Sequence, residues 1–190
     1  MLKDLILSNR SYRRFHQEHA ISIDTLKELV DLARLSASAG NKQPLKFLLS
    51  CDSEKNAKIF PLISSWASLL PDWPEPKEGE KPSAYIIILV DTEIGLSFGI
   101  DSGIAAQSIL LGATEKGLGG CIMGSIKKEY ARNVLSIPSQ YDILLTIALG
   151  KPNEKVVIER LSPGQDTKYW REKDSSHHVP KRRLEDIIIF

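Results

Sequence analysis

Apolar residues recur along this chain first at helical and then at strand-like spacing, and the change of period marks out its elements. Leu2–Ser8 reads as a short helix. Ser22 is a plausible N-cap, and Asp24 stands in the first turn, where a helix dipole favours negative charge. Leu26, Leu29, Val30, Ala33 and Ala37 then fall at helical spacing, which predicts an amphipathic helix running from Ile23 to Leu35. Lys46–Cys51 is an apolar strand candidate. From Ser53 to Leu70 the pattern is helical but uneven. Residues 71–82 hold four prolines and a tryptophan, Trp73, so no regular element fits and a long surface loop is expected, of the kind that forms lids or disordered connections. Ala84–Val90 is a continuous apolar run rich in Ile, the mark of a central strand buried on both faces. Ser97–Lys116 is helical, and small or apolar almost all round, so it predicts a buried helix packed at close range, with Gly117 as its C-cap. A shorter helix over Lys127–Leu135 stops before Pro138, and Asp142–Leu149 is another apolar strand. Glu154–Val179 is polar and reads as irregular, and Leu184–Phe190 closes the chain with a strand-like apolar run.

Four or five strands separated by helices give an α/β or α+β class. A length of 190 residues suits one domain, 1–190, and a domain of that size buries roughly 70% of the surface of its unfolded chain. A net charge of +1 implies no general attraction to nucleic acid or to an anionic membrane. The most apolar long segment, Ile100–Ala113, contains Asp101 and Gln107 and is too short to span a bilayer. The first residues break their apolar run too early for a signal peptide. Cys51 and Cys121 are isolated, with neither metal-type nor redox-pair spacing, and read as reduced thiols of a cytoplasmic protein.

Four stretches could carry chemistry. In Ser36–Pro44 the residues are small except where Asn41 and Gln43 offer a donor and an acceptor side by side, a pattern that suits a flat heterocycle; Gly40 can take a positive φ without steric cost. On these nine residues alone an ordinary helix-to-strand loop is the simpler reading. Arg10 and Arg13 are three apart with the hydroxyl of Ser11 between them, and would share a face if the turn is helical. Two guanidinia and a hydroxyl make a phosphate grip, although an Arg-rich hexapeptide is more often a solvated basic patch. Lys181 and Arg183 are two apart, so in an extended segment they project to the same side while Arg182 points away. Gly119–Gly124 reads as a Gly-rich turn with exposed backbone N–H groups. It is not a dinucleotide fingerprint, because Ile122 stands where the third Gly belongs. Cys121 has no paired base nearby in sequence, and the adjacent His177 and His178 read as solvated loop residues rather than metal ligands. No acid–base dyad stands out, so no catalytic side chain and no metal ligand is assigned. That absence suits chemistry done by a cofactor.

Taken in order, Arg10–Phe15, Ser38–Pro44, Gly117–Gly124 and Pro180–Leu184 resemble the four signatures of the nitroreductase family of FMN-dependent oxidoreductases. The resemblance covers nearly the whole chain. It implies an α+β fold in which three layers, α/β/α, enclose a mostly antiparallel sheet. It implies a homodimer whose C-terminal segment reaches the partner subunit. Arg10, Ser11, Arg13, Lys181 and Arg183 would then hold the FMN phosphate, and Ile122, Met123 and Gly124 would line one edge of the isoalloxazine. Ala37, Ser38, Ala39 and Asn41 would reach the flavin from the partner subunit, with Gln43 a further contact. NADH or NADPH would reduce the flavin, and a small electron-poor acceptor such as a nitroaromatic or quinone would reoxidise it in a ping-pong scheme. The alternatives are a flavin-binding protein without turnover, for storage or sensing, and a flavin enzyme of the same fold acting on another substrate, such as a dehalogenase. Two departures touch the site: the family often has Arg where this chain has Asn9, and an aromatic residue where it has Leu45.

Overall fold

The computed structural model describes residues 1–67, 73–95 and 99–189. Its centre is a sheet in which every strand pair is antiparallel. β1 (Phe15–His16), β2 (Leu45–Ser50), β3 (Ala84–Asp91), β4 (Gly119–Met123) and β5 (Tyr141–Pro152) form it. β3 lies between β2 and β5. β4 lies on the other side of β5, and β1 joins the end of β5 through Phe15–Pro152 and His16–Lys151.

The all-apolar run of β3 is buried along its whole length because both faces are covered. Side chains alternate along a strand. Ala84, Ile86 and Ile88 therefore enter a core with Leu26 and Leu29 of α2 (Ile23–Arg34) and Ile109 and Leu110 of α4 (Gly99–Glu115). Tyr85, Ile87 and Leu89 enter a second core with Ile59 of α3 (Ser53–Ile59), Trp66, and Ala131 of α5 (Lys128–Val134). Three layers result. A register shift opposite Ile88 and Leu89 leaves Leu144 as an extra residue between Ile143 and Leu145, so that Leu144 and Leu145 both pack on the first core while Ile143 lies in the second.

The local signals act as expected at several ends. The Ser22 hydroxyl accepts the Thr25 N–H at 3.0 Å and caps α2. Gly117 takes φ +71° after α4, and the Leu118 N–H returns to the Ala113 carbonyl at 2.9 Å, which closes the helix. Helix α1 (Leu2–Ser8) also forms.

Other expectations change. α2 ends at Arg34, so Ala37 lies beyond it in an exposed loop rather than on its apolar face. Residues 53–62 form α3 and a short 3-10 turn and 63–67 are not helical, while Ser68–Leu70, Pro71, Asp72 and Ser97 lie outside the described residues. The stretch Gly119–Gly124 reads as a turn from composition, yet Gly119–Met123 is strand β4. Glycine there answers close packing: a Cβ at Gly120 would stand 2.5 Å from the Ala148 carbonyl oxygen and 2.8 Å from Leu110. The polar stretch Glu154–Val179 is not irregular throughout, because β6 (Val156–Arg160) pairs in parallel with β8 (His177–Lys181), and β7 (Trp170–Arg171) pairs antiparallel with β8. Leu184–Asp186 is a 3-10 turn, and Ile187–Ile189 is exposed outside any strand; Phe190 lies outside the described residues. No described helix is long and apolar enough to cross a membrane.

Candidate functional site

Between α1 and β1 the chain runs in an extended rather than a helical path. Ser11 bridges Gly120 of β4, and the Tyr12 N–H donates to the Gly120 carbonyl at 3.0 Å. This path still brings Arg10, Ser11 and Arg13 to one cavity of about 270 Å³, and β8 adds Lys181 and His177, with Tyr169 beside them. Arg10 donates to the carbonyls of Ile6 and Asn9, both at 2.6 Å, which pins its guanidinium over the end of α1. Arg13 lies over the Tyr169 ring, 5.6 Å from its centroid, and its Nε is buried without a hydrogen-bond partner among the described residues.

A second cavity of about 220 Å³ is lined by Arg13, Trp66, Cys121, Ile122, Met123 and Gly124. Arg13 therefore borders both. Among the described residues, the outer side of β4 is bridged only at Gly120, so the backbone of Ile122–Gly124 is an open edge. A side chain at Gly124 would meet nothing within 4 Å, which leaves room for a flat group against the main chain. The Trp66 indole N–H is buried without a partner among the described residues. Burial pushes the Cys121 thiol up, so it stays protonated, as an inert core thiol does.

The Ser38–Gln43 loop lies elsewhere. Ala37, Ser38 and Gln43 line a separate cavity of about 130 Å³ between α2, β2 and α4. Gly40, Asn41 and Gln43 all take positive φ, at 58°, 52° and 51°. A conformation unfavourable for two non-glycine residues needs anchors. The anchor is Asp101, buried in the first turn of α4. It accepts the Ser38 hydroxyl at 2.6 Å and the Ala39 N–H at 3.0 Å, and the Ser38 oxygen in turn accepts the Gln43 N–H at 3.0 Å. Gln43 Nε2 donates to Asn41 Oδ1 at 3.1 Å, which aligns the two carboxamides. Ala39, Asn41 and Gln43 are exposed.

Arg183 is not brought to the cavity of Arg10 and Lys181. Its guanidinium donates to both oxygens of Asp186, at 2.8 and 2.5 Å. The two histidines also depart from expectation, since neither is a solvated loop residue. His177 is 2% exposed, with neither ring nitrogen hydrogen-bonded among the described residues, and burial holds it down at about 4, helped by Arg171 and Arg13. His178 bonds Glu159 at 2.7 Å and stacks on Trp170. Trp73 is no loose lid aromatic: Arg171 and Arg14 lie over its ring at 3.0 and 5.3 Å.

Sequence reasoning missed Asp101, Glu154 and His177. Asp101 carried a signal, a carboxylate in an otherwise apolar helix that must be paired if buried. Glu154 and His177 sit in a stretch whose polarity masked its strands.

Known proteins share this fold. The chain is 26% identical over 179 residues to an NADPH-flavin oxidoreductase of Vibrio harveyi, covering 84% of this chain and 69% of that protein. A nitroreductase family protein of Streptococcus pneumoniae TIGR4 shares the fold at a TM-score of 0.72 and 18% identity, with 100% of each chain covered. An FMN-dependent nitroreductase of Clostridium difficile R20291 shares it at a TM-score of 0.68 and 20% identity, covering 98% of this chain and 96% of that one. The family model described as "Nitroreductase family" matches residues 6–151, a span that takes in the central sheet, Arg13 with the Ile122–Gly124 edge, and the Asp101-anchored loop. On that match, the chain belongs to the nitroreductase family.

Proposed function

We propose that this chain, as one domain over residues 1–190, is an FMN-dependent oxidoreductase. It draws reducing equivalents from NADH or NADPH and delivers them to small electron-poor acceptors such as nitroaromatics or quinones. The observation that carries the reading is the convergence of Arg10, Ser11, Arg13 and Lys181 on one cavity whose Arg13 also borders the cavity at Ile122–Gly124.

The residues present fit FMN. A phosphate dianion needs fixed cations and donors, and guanidinium groups suit it because their N–H groups are held in a planar fork. The unpartnered Arg13 Nε is a donor of this kind. The open edge at Ile122–Gly124 suits a flat ring. The names of the Clostridium difficile and Vibrio harveyi proteins, FMN-dependent and NADPH-flavin respectively, support the same cofactor and reductant. When bound, FMN supplies the hydride chemistry. The chain's own share is to grip the phosphate with Arg10, Ser11, Arg13 and Lys181, to present the β4 backbone and Trp66 N–H to the ring side, and to keep Cys121 neutral and out of the reaction. The unpaired thiols Cys51 and Cys121 support a reducing, cytoplasmic setting.

The complete site takes two chains. The Ala37–Asn41 loop leads into β2, and β4 lies three strands away, about 14 Å at the usual interstrand spacing. A loop so placed meets the flavin of a partner more readily than its own. Exposed apolar side chains at Leu2, Leu35, Ile100, Leu184 and Ile187 support a homodimer.

The test is spectroscopic. Protein incubated with FMN and desalted should be yellow, release FMN on denaturation, bleach under anaerobic NADH or NADPH, and recover its colour with a quinone or nitroaromatic. Release of FAD, or no flavin uptake, would sink the reading. A flavin that binds but does not bleach would leave a binding protein without turnover.

A further inference from the structure

Glu154 follows β5, and its side chain is 1% exposed. Its Oε1 accepts the backbone N–H groups of Arg13 and of Arg14, the second at 3.3 Å. Its Oε2 accepts from the Arg171 guanidinium, which lies over Trp73. Next to it, the Asn153 N–H donates to the Arg14 carbonyl at 2.9 Å. The neighbouring amides of the same stretch have other anchors: Tyr12 donates to Gly120, and Phe15 donates to Glu80 at 3.0 Å. Arg13 and Arg14 are thus the two positions in that run whose N–H groups are held by Glu154.

A buried carboxylate beside a cavity built for a dianion has the wrong sign. Coulomb repulsion between Glu154 and a phosphate would weaken binding, and burial strengthens it by lowering the local dielectric. Arg171 offsets the charge. What Glu154 adds is geometry: one side-chain oxygen that accepts two consecutive amides holds the backbone that carries Arg13. We propose that Glu154 is a positioning residue for the phosphate grip, acting through the main chain at Arg13 and Arg14 and not through its charge. This rests on the FMN reading above. Glu154 lies beyond the 6–151 family match, so the C-terminal segment supplies this support.

Reach and charge can be separated by two conservative variants. Glu154→Gln keeps an acceptor oxygen for the two amides and removes the charge. Glu154→Asp keeps the charge and withdraws the oxygens by one methylene. Dissociation constants for FMN and for riboflavin, which lacks the phosphate, are measured by flavin fluorescence on variants whose far-ultraviolet circular dichroism matches wild type. Glu154→Gln should bind FMN within about threefold of wild type, or tighter. Glu154→Asp should lose about tenfold or more, on the scale of one hydrogen bond to a charged group. Riboflavin affinity should hardly move in either. The opposite order, with Gln weak and Asp normal, would show that the charge matters and overturn the proposal. Wild-type FMN affinity in both variants would overturn it too, as would equal losses of FMN and riboflavin, which mark a general structural role. A wild-type protein that binds riboflavin and FMN equally would remove the phosphate grip itself and the FMN reading with it.

Discussion

Lys181 and Arg183 stand two positions apart, yet only Lys181 lines the cavity, because Nε and Nη2 of Arg183 are held by Asp186 and its Nη1 lies 3.4 Å from Glu185. Lys181→Ala should weaken FMN binding by about 1.5–3 kcal/mol, the scale of a hydrogen bond to a charged group, which is about 10- to 150-fold in Kd. Arg13→Ala should lose a similar amount. Arg183→Ala should lose less, and equal losses for Lys181 and Arg183 would mean that Arg183 leaves Asp186 when FMN binds. Titration calorimetry with FMN and riboflavin decides, since the phosphate ligands should leave riboflavin affinity nearly unchanged. His177 makes a separate prediction about stability. In the unfolded chain it takes a proton near 6.5, while burial delays protonation in the folded chain until about 4. Between those values the unfolded state binds more protons, so stability falls as pH drops through that window, by at most about 1.4 kcal/mol per pH unit. Urea denaturation between pH 7 and 4 should show this slope, and His177→Gln should flatten it; an unchanged slope would acquit His177.

At the scale of elements, what could be read in the sequence was whatever periodicity and caps control. α2, β2, β3 and the core of β5 follow their apolar spacing, because each packs apolar side chains against a core. The expectation of a Gly-rich turn at 119–124 failed because glycine has two uses. It permits unusual backbone angles, but it also permits close approach, and at Gly120 the second governs. Gly120→Ala should destabilise the fold by about 1–3 kcal/mol, the usual range for overpacking, because the nearest atom is a backbone oxygen that cannot swing aside. A melting temperature equal to wild type would refute this. β7 and β8 escaped because their pairing places ionic groups such as Arg171 and His178 inside, where spacing gives no apolar signal, and in β6 the apolar run Val156–Ile158 is only three residues long between Lys155 and Glu159. Of the candidate site, residue types were legible but juxtaposition was not. Arg10, Ser11 and Arg13 meet through an extended segment instead of a helical turn, and the strain of the Ser38–Gln43 loop is met from another element, by Asp101. Asp101→Ala should free Ser38 and Ala39 and raise hydrogen exchange at Ala39, Asn41 and Gln43, while α4 itself keeps its protection.

At the scale of the whole molecule, on the proposed reading, a loop at β2 and a grip beside β4 serve one flavin although three interstrand spacings separate them in one chain. In the proposed symmetric dimer, each site would take its grip from one chain and its loop from the other. That arrangement can be tested by complementation. Arg13→Ala impairs the grip, and Ala39→Glu puts a charge on the loop where a flat ring is to lie. Each homodimer then carries two impaired sites. A heterodimer of the two variants has one site with both faults and one with neither. Random pairing of equal amounts should therefore restore wild-type FMN affinity at about one site in four. Flavin titration of the co-refolded mixture, after each homodimer has been measured alone, gives that fraction directly. If grip and loop act within one chain, each subunit in the mixture keeps its own fault and no tight sites return. A chain that stays monomeric by light scattering while saturated with FMN would exclude the shared site outright.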